Sequence, residues 1–217
     1  MKNLLIAVFA FMPIFSYAEI IPDTNPPYVF YCPEKTKCTL IMSQSIAETS
    51  EYLKLGTTIR EMPSNIRIDV YLDGYGGDIL GMLYLCNSIK YSKAEIVGHV
   101  VGPVYSAHAM LLFSFKEIVI DDDAFLMLHR PAIFDPKKKE YILTNNDVCD
   151  DVKGLDRGKS MRDKCILQNN AINKMYNKFF EEHIKKFLTE DELSRYQEGY
   201  DVYINGTDMQ KRIEENK

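Results

Sequence analysis

An α/β fold built on a mainly parallel sheet is predicted by three features of this 217-residue sequence. Residues 66–73 (Ile66, Arg67, Ile68, Asp69, Val70, Tyr71, Leu72, Asp73) alternate apolar and polar side chains, the period-two pattern of a half-buried strand. A glycine turn (Gly74, Tyr75, Gly76, Gly77) leads into an apolar helical run over 78–91. A second strand over 95–101 then completes a βαβ unit, whose crossover is expected to be right-handed and whose strand C-termini share one edge, the edge where sites form.

The other elements follow in chain order. Residues 28–31 and 39–42 read as two short strands joined by a loop that Cys32 and Cys38 flank. A helix with a loose apolar stripe is expected over 46–62, capped by Ser43, with Gly56 as an interruption and Pro63 as its end. Residues 104–115 read as a short apolar helix, and 117–120 and 125–128 as further strands. The segment 132–165 is polar and charged and reads as an insertion, with the lysines at 137–139 in a solvated turn. Residues 166–188 carry Ile172, Met175, Tyr176, Phe179, Phe180, Ile184 and Phe187 at the spacing of a long amphipathic helix. Thr189 with Glu192 forms a capping box, Gly199 stops that helix, 200–204 is a strand, and Thr207 is expected to cap a final helix.

Composition narrows the class. With 46% hydrophobic and 26% charged residues the chain suits one ordinary globular domain. A formal charge of −5 and the absence of a dense Lys/Arg patch argue against nucleic-acid binding, which needs clustered cations. Residues 1–18 read as a secretory signal peptide: Lys2 supplies the positive start, an apolar run follows, and Ser16, Tyr17 and Ala18 offer the cleavage-site pattern. The run is short for a membrane span and Pro13 interrupts it. An exported protein, periplasmic or secreted, with its folded domain over 19–217, is therefore expected. In an oxidising compartment Cys32 with Cys38, and Cys149 with Cys165 across the polar segment, are expected to pair, while Cys86 sits in an apolar run as a buried hydrophobe. No CxxC pair or Cys-His cluster supports a metal, and no cofactor is implied.

Three marks carry chemistry. Ser106 stands at the predicted start of a helix, where unpaired N–H groups and the dipole favour a developing negative charge, and the Ala107 amide is a candidate donor. The glycine pair ends a strand, where missing side chains let backbone N–H groups approach a substrate carbonyl, so Gly77 is the second candidate oxyanion donor. Gly76 and Tyr75, beside it, are candidate substrate-binding residues. His129 ends another strand and is the candidate base. His99, His108 and His183 are read as a core histidine, a structural or substrate-facing residue, and a solvated one.

The arrangement of Gly76-Gly77, then Tyr105-Ser106-Ala107-His108-Ala109, then Met127-Leu128-His129-Arg130-Pro131 resembles the proteolytic subunit of Clp protease. That family reads Ser-Pro-Gly-Gly, Ala-Ser-Met-Gly-Ala and Met-Ile-His-Gln-Pro, and the interval from Gly77 to Ser106 needs no gap. The resemblance implies a Clp/crotonase-type spiral of βαβ units in a single domain over 28–214. It also implies Ser106 as nucleophile, His129 as base, Gly77 and Ala107 as oxyanion donors, and Asp201 in Asp201-Val202-Tyr203-Ile204 as the group that orients His129. Asp73-Gly74-Tyr75, Tyr105 and His108 depart from the family pattern, and the 132–165 insertion falls where the family joins its rings.

The implied activity is that of an ATP-independent serine peptidase acting on peptides or unfolded protein, with no ATP-driven unfoldase as partner and a homo-oligomeric state. The alternatives are a signal peptide peptidase A-like enzyme with a lysine base, a crotonase acting on acyl-CoA, and a catalytically silent Clp-like module that binds an extended peptide or serves assembly.

Overall fold

The computed structural model describes residues 28–46, 49–135, 140–143 and 158–216. Residues 1–18, read above as a signal peptide, the lysines at 137–139 and Cys149 lie outside the described residues.

The chain opens with an antiparallel hairpin of β1 (Val29–Glu34) and β2 (Lys37–Met42), which the Cys32–Cys38 disulfide cross-links as expected. Helix α1 (Thr49–Glu61) leads to β3 (Arg67–Gly74), which pairs parallel with β2. Helix α2 (Ile79–Tyr91) starts at Asp78, whose carboxylate accepts the Gly81 N–H at 2.5 Å, a side-chain N-cap. It buries Met82, Leu83, Leu85, Cys86 and Ile89, so the run that is apolar on more than one face is indeed enclosed. Strand β4 (Glu95–Tyr105) returns parallel to β3 and completes the βαβ unit.

β4 is long enough to hold two further strands on one side. Its Val97–Val100 stretch pairs with β5 (Glu117–Ile120), and Pro103, Val104 and Tyr105 pair with β6 (Phe125–Leu128), both parallel. Between β4 and β5 lies the short helix α3 (Ala107–Leu112). The last strand, β9 (Val202–Asn205), closes the sheet antiparallel to β6, so the edge strands β1 and β9 run against a parallel centre. The buried rows of β2, β3 and β4 (Leu40, Met42, Ile68, Val70, Leu72, Val100) share one core with Tyr52 and Ile59 of α1, Leu85 of α2 and Leu111 of α3.

Several sequence expectations need correction. The first helix begins at Thr49, not at 46: Ile46 instead makes an isolated parallel bridge to Gly77. Gly56 does not interrupt that helix; a Cβ there would come within 2.7 Å of Ser88 and 2.8 Å of Tyr84, so the glycine lets α1 and α2 pack closely. Val104 and Tyr105 belong to β4 rather than to the following helix. The polar insertion contains a second hairpin, β7 (Ala132–Asp135) with β8 (Glu140–Leu143), and α4 (Gly158–Phe179) starts within it.

α4 passes into a π-helical turn (Phe180–Ile184) and a 3₁₀ turn (Lys185–Phe187). The Thr189–Glu192 capping box starts α5 (Glu190–Glu198) and Gly199, at φ 93°, ends it, both as expected. Asn205, not Thr207, caps α6 (Gly206–Glu215), because its side-chain Oδ1 accepts the Asp208 N–H at 2.8 Å. Among the described residues no helix is long and apolar enough to cross a membrane.

Candidate active site

Ser106 sits where β4 ends and α3 begins, at φ 54° and ψ −119°. Among the described residues it alone, apart from glycines, has a positive φ. These dihedrals are those of the first central position of a type II′ turn, where glycine is favoured; a side chain there costs roughly 1–3 kcal/mol. The surroundings fix it: the Ser106 N–H donates to the Met127 carbonyl at 2.8 Å, and the Ser106 carbonyl accepts the Met110 N–H at 3.0 Å. The hydroxyl makes no helix-capping bond, so it is not the ordinary capping serine that such a position usually holds.

The glycine turn packs directly onto this junction. Gly76 has φ 89°, and a Cβ on it would stand 2.7 Å from both Ser106 Cβ and the Tyr105 carbonyl oxygen. Gly77 has φ 133°, and a Cβ there would stand 2.2 Å from the Ile46 carbonyl oxygen. Ile46 clamps the turn from outside: its N–H donates to the Gly76 carbonyl, and its carbonyl accepts the Asp78 N–H, each at 2.6 Å. A trans peptide holds its C=O and N–H antiparallel, so the Gly77 N–H points away from Ile46. It has no hydrogen-bond partner among the described residues, nor does the N–H of Ala107, the first residue of α3.

His108 is fully buried, which settles its reading as structural rather than substrate-facing. Its Nδ1 accepts the Gly76 N–H at 3.0 Å, and its ring fills the space that a Cβ on Gly74 would need, 3.0 Å from both Cε1 and Nε2. Burial lowers its pKa to about 4, so the imidazole is neutral and Nε2 carries the proton.

His129 follows β6. Its Nδ1 lies 2.6 Å from the Arg130 carbonyl, which can only accept, so Nδ1 carries a proton and is the donor in this bond. The backbone at this point is also held, since the Tyr176 hydroxyl donates to the His129 carbonyl at 3.0 Å and itself meets the Tyr196 hydroxyl. Asp201 precedes β9; its carboxylate accepts from the Tyr203 hydroxyl at 3.2 Å and its carbonyl from Arg195 at 3.3 Å.

Two cavities meet at Ser106. One, of about 340 Å³, is walled by Met82, Met110 and Ile172. The other, of about 790 Å³, is walled by Tyr75, Tyr105, Met127 and Tyr203. Gly77, Ser106 and His129 line both; Asp201 lines the larger and Ala107 the smaller. The side chains of Ser106, His129 and Asp201 therefore share one cleft, with no hydrogen bond between any two of them. Tyr75 is 73% exposed and stacks on Tyr105 with ring centroids 5.5 Å apart, forming a shelf beside Ser106.

Sequence reasoning missed Ile46, whose apolar side chain reads as helix, and Tyr176, which sits in the apolar stripe of α4. It also missed the pairing of His108 with Gly74, for which the joint departure of both from the family pattern was the available signal. Of the remaining cysteines, Cys86 is free and buried as expected; Cys165 is disulfide-bonded, and Cys149, its expected partner, lies outside the described residues.

No curated protein matches the chain. The Clp protease family model, in contrast, matches residues 44–187, a span that holds the Ile46 clamp, the glycine turn, Ser106 and His129 but stops short of Asp201. That match takes in more than half of the sequence, and with the α/β sheet that carries it, the chain belongs to the Clp protease family.

Proposed function

We propose that the chain is an exported, ATP-independent serine peptidase in which Ser106 is the nucleophile, His129 the general base and Asp201 the group that orients the imidazole. One observation carries this reading: Ser106 is held in a conformation that costs stability, in a cleft that Gly77, His129 and Asp201 also line, and the N–H groups of Gly77 and Ala107 have no partner among the described residues. Ser106 Oγ passes its proton to His129 Nε2 as it attacks the peptide carbonyl. The oxyanion that forms takes hydrogen bonds from the Gly77 and Ala107 N–H groups. His129 returns the proton to the leaving amine, and water then hydrolyses the acyl-enzyme through the same relay. Asp201 stabilises the imidazolium in between.

Peptides or unfolded segments are the substrates in this reading, lying over Gly76 and Tyr75, and the working state is a homo-oligomer. Export is supported by the apolar leader and by the Cys32–Cys38 disulfide, which suits an oxidising compartment. No ATP-driven unfoldase serves it there.

A serine-directed fluorophosphonate is the direct test: it labels the native protein on Ser106, and Ser106→Ala abolishes both labelling and peptide hydrolysis. Folded native protein that takes no label sinks the peptidase reading. A second reading, the catalytically silent peptide-binding module, is favoured by one arrangement: Nδ1 of His129 faces the Arg130 carbonyl, and the Asp201 carboxylate engages Tyr203. A lysine base is disfavoured because, among the described residues, no lysine lines either cavity.

A further inference from the structure

We propose that His108 is a positioning residue that sets the direction of the Gly77 N–H, and that Gly74, Gly76 and His108 form one interdependent unit. This rests on the peptidase reading for its catalytic consequence, though not for its geometry.

The Gly77 N–H belongs to the peptide plane shared with the Gly76 carbonyl, and Ile46 fixes that plane from one side by a 2.6 Å bond. The preceding plane, which carries the Gly76 N–H, is fixed among the described residues only by His108 Nδ1 at 3.0 Å. Gly76 links the two planes, and at φ 89° it has the freedom to rotate between them. With both planes anchored the turn has one orientation, and Gly77 keeps its N–H turned from Ile46 toward the cleft that it lines with Ser106. Without the imidazole, the 75–76 plane loses its acceptor, and the orientation of the turn rests on the Ile46 bonds alone.

The ring reaches this place only because position 74 has no Cβ: a methyl there would lie 3.0 Å from Cε1 and Nε2. The cost of the arrangement is visible, since His108 Nε2 is buried without a partner among the described residues. A buried polar ring that leaves one nitrogen unpaired is a poor choice for core filling. Its other nitrogen accounts for its presence, because no apolar side chain accepts a hydrogen bond from Gly76.

The test compares His108→Ala with His108→Asn, whose Oδ1 accepts a hydrogen bond in place of Nδ1, and reads both turnover and amide exchange. With a peptide substrate, His108→Ala lowers kcat by about 10- to 100-fold with little change in KM, and weakens a peptide aldehyde, whose adduct carries the oxyanion, by a similar factor. His108→Asn recovers most of that loss. In parallel, NMR-detected exchange of the Gly76 amide is slow in the native protein and the Asn variant and fast in the Ala variant. Unchanged kcat in a folded Ala variant, or an Asn variant no better than Ala, overturns the catalytic part; a Gly76 amide equally protected in all three overturns the geometric part. Failure of the native protein to take the fluorophosphonate would count against the peptidase reading alone, since the exchange measurement needs no turnover.

Discussion

Replacing Ser106 by glycine should make the protein more stable while destroying its proposed activity. At φ 54° and ψ −119° the serine occupies backbone space that glycine enters freely, at a cost of roughly 1–3 kcal/mol. Glycine gives back roughly 0.5–1 kcal/mol through the extra freedom of its unfolded chain. The net gain is therefore about 1 kcal/mol. Ser106→Ala is the control: it keeps the Cβ and the strain, and it removes a hydroxyl that makes no capping bond, so it should shift stability by less than about 0.5 kcal/mol. Urea unfolding of the three proteins, with the midpoint compared at constant slope, reads the difference. If the glycine variant is no more stable than the alanine variant, the strain argument is wrong and Ser106 loses the strongest sign that its conformation serves chemistry.

Two further outcomes follow from the same structure. Burial holds the His108 pKa at about 4 against an ordinary value near 6.5, so the unfolded chain takes up the proton first as pH falls. The linked stability is complete above about pH 6.5 and is lost progressively toward pH 4, by about 3 kcal/mol in all. His108→Asn should flatten that part of the pH–stability profile, and an unchanged profile would refute the assignment. Replacing Cys32 and Cys38 together by serine should cost about 2 kcal/mol, the loop entropy released from a short ring. Thermal unfolding of the oxidised native protein against the double variant measures it.

Much of the scaffold was legible because its elements carry clean local signals. The period-two run at 66–73, the strands at 117–120 and 125–128 and the capping box at Thr189 all appear where the pattern places them. The exceptions have physical causes. The strand expected over 95–101 runs on through Gly102 and Pro103 to Tyr105, because Pro103 pairs with Phe125 at a place where the ladder beside β3 shifts register. Ile46 reads as helix because its apolar side chain fits either state, and only the distant Gly77 decides. The start of α4 at Gly158 carries charged residues that hide it.

For the candidate site, residue types singled out Ser106, Gly77, Ala107 and His129, and the family resemblance added Asp201; Gly77, Ser106 and His129 line both cavities, Asp201 the larger and Ala107 the smaller. Which donors meet which acceptors was not legible. The partner of His129 Nδ1, for instance, is a neighbouring carbonyl, and every residue has one.

The clamp on Gly77 bears on how relatives of this chain would diverge under relaxed selection. A side chain at 77 would collide with the Ile46 backbone whether or not any peptide is ever cut, so the glycine is required by the fold itself. Ser106 is under the opposite pressure, because a relative released from catalysis gains stability by exchanging it for glycine. Descendants that lost the activity would therefore keep the glycine pair and shed the serine. Among related sequences, retention of a strained serine at this junction is the informative sign of a working enzyme, while the glycine pair reports only shared ancestry.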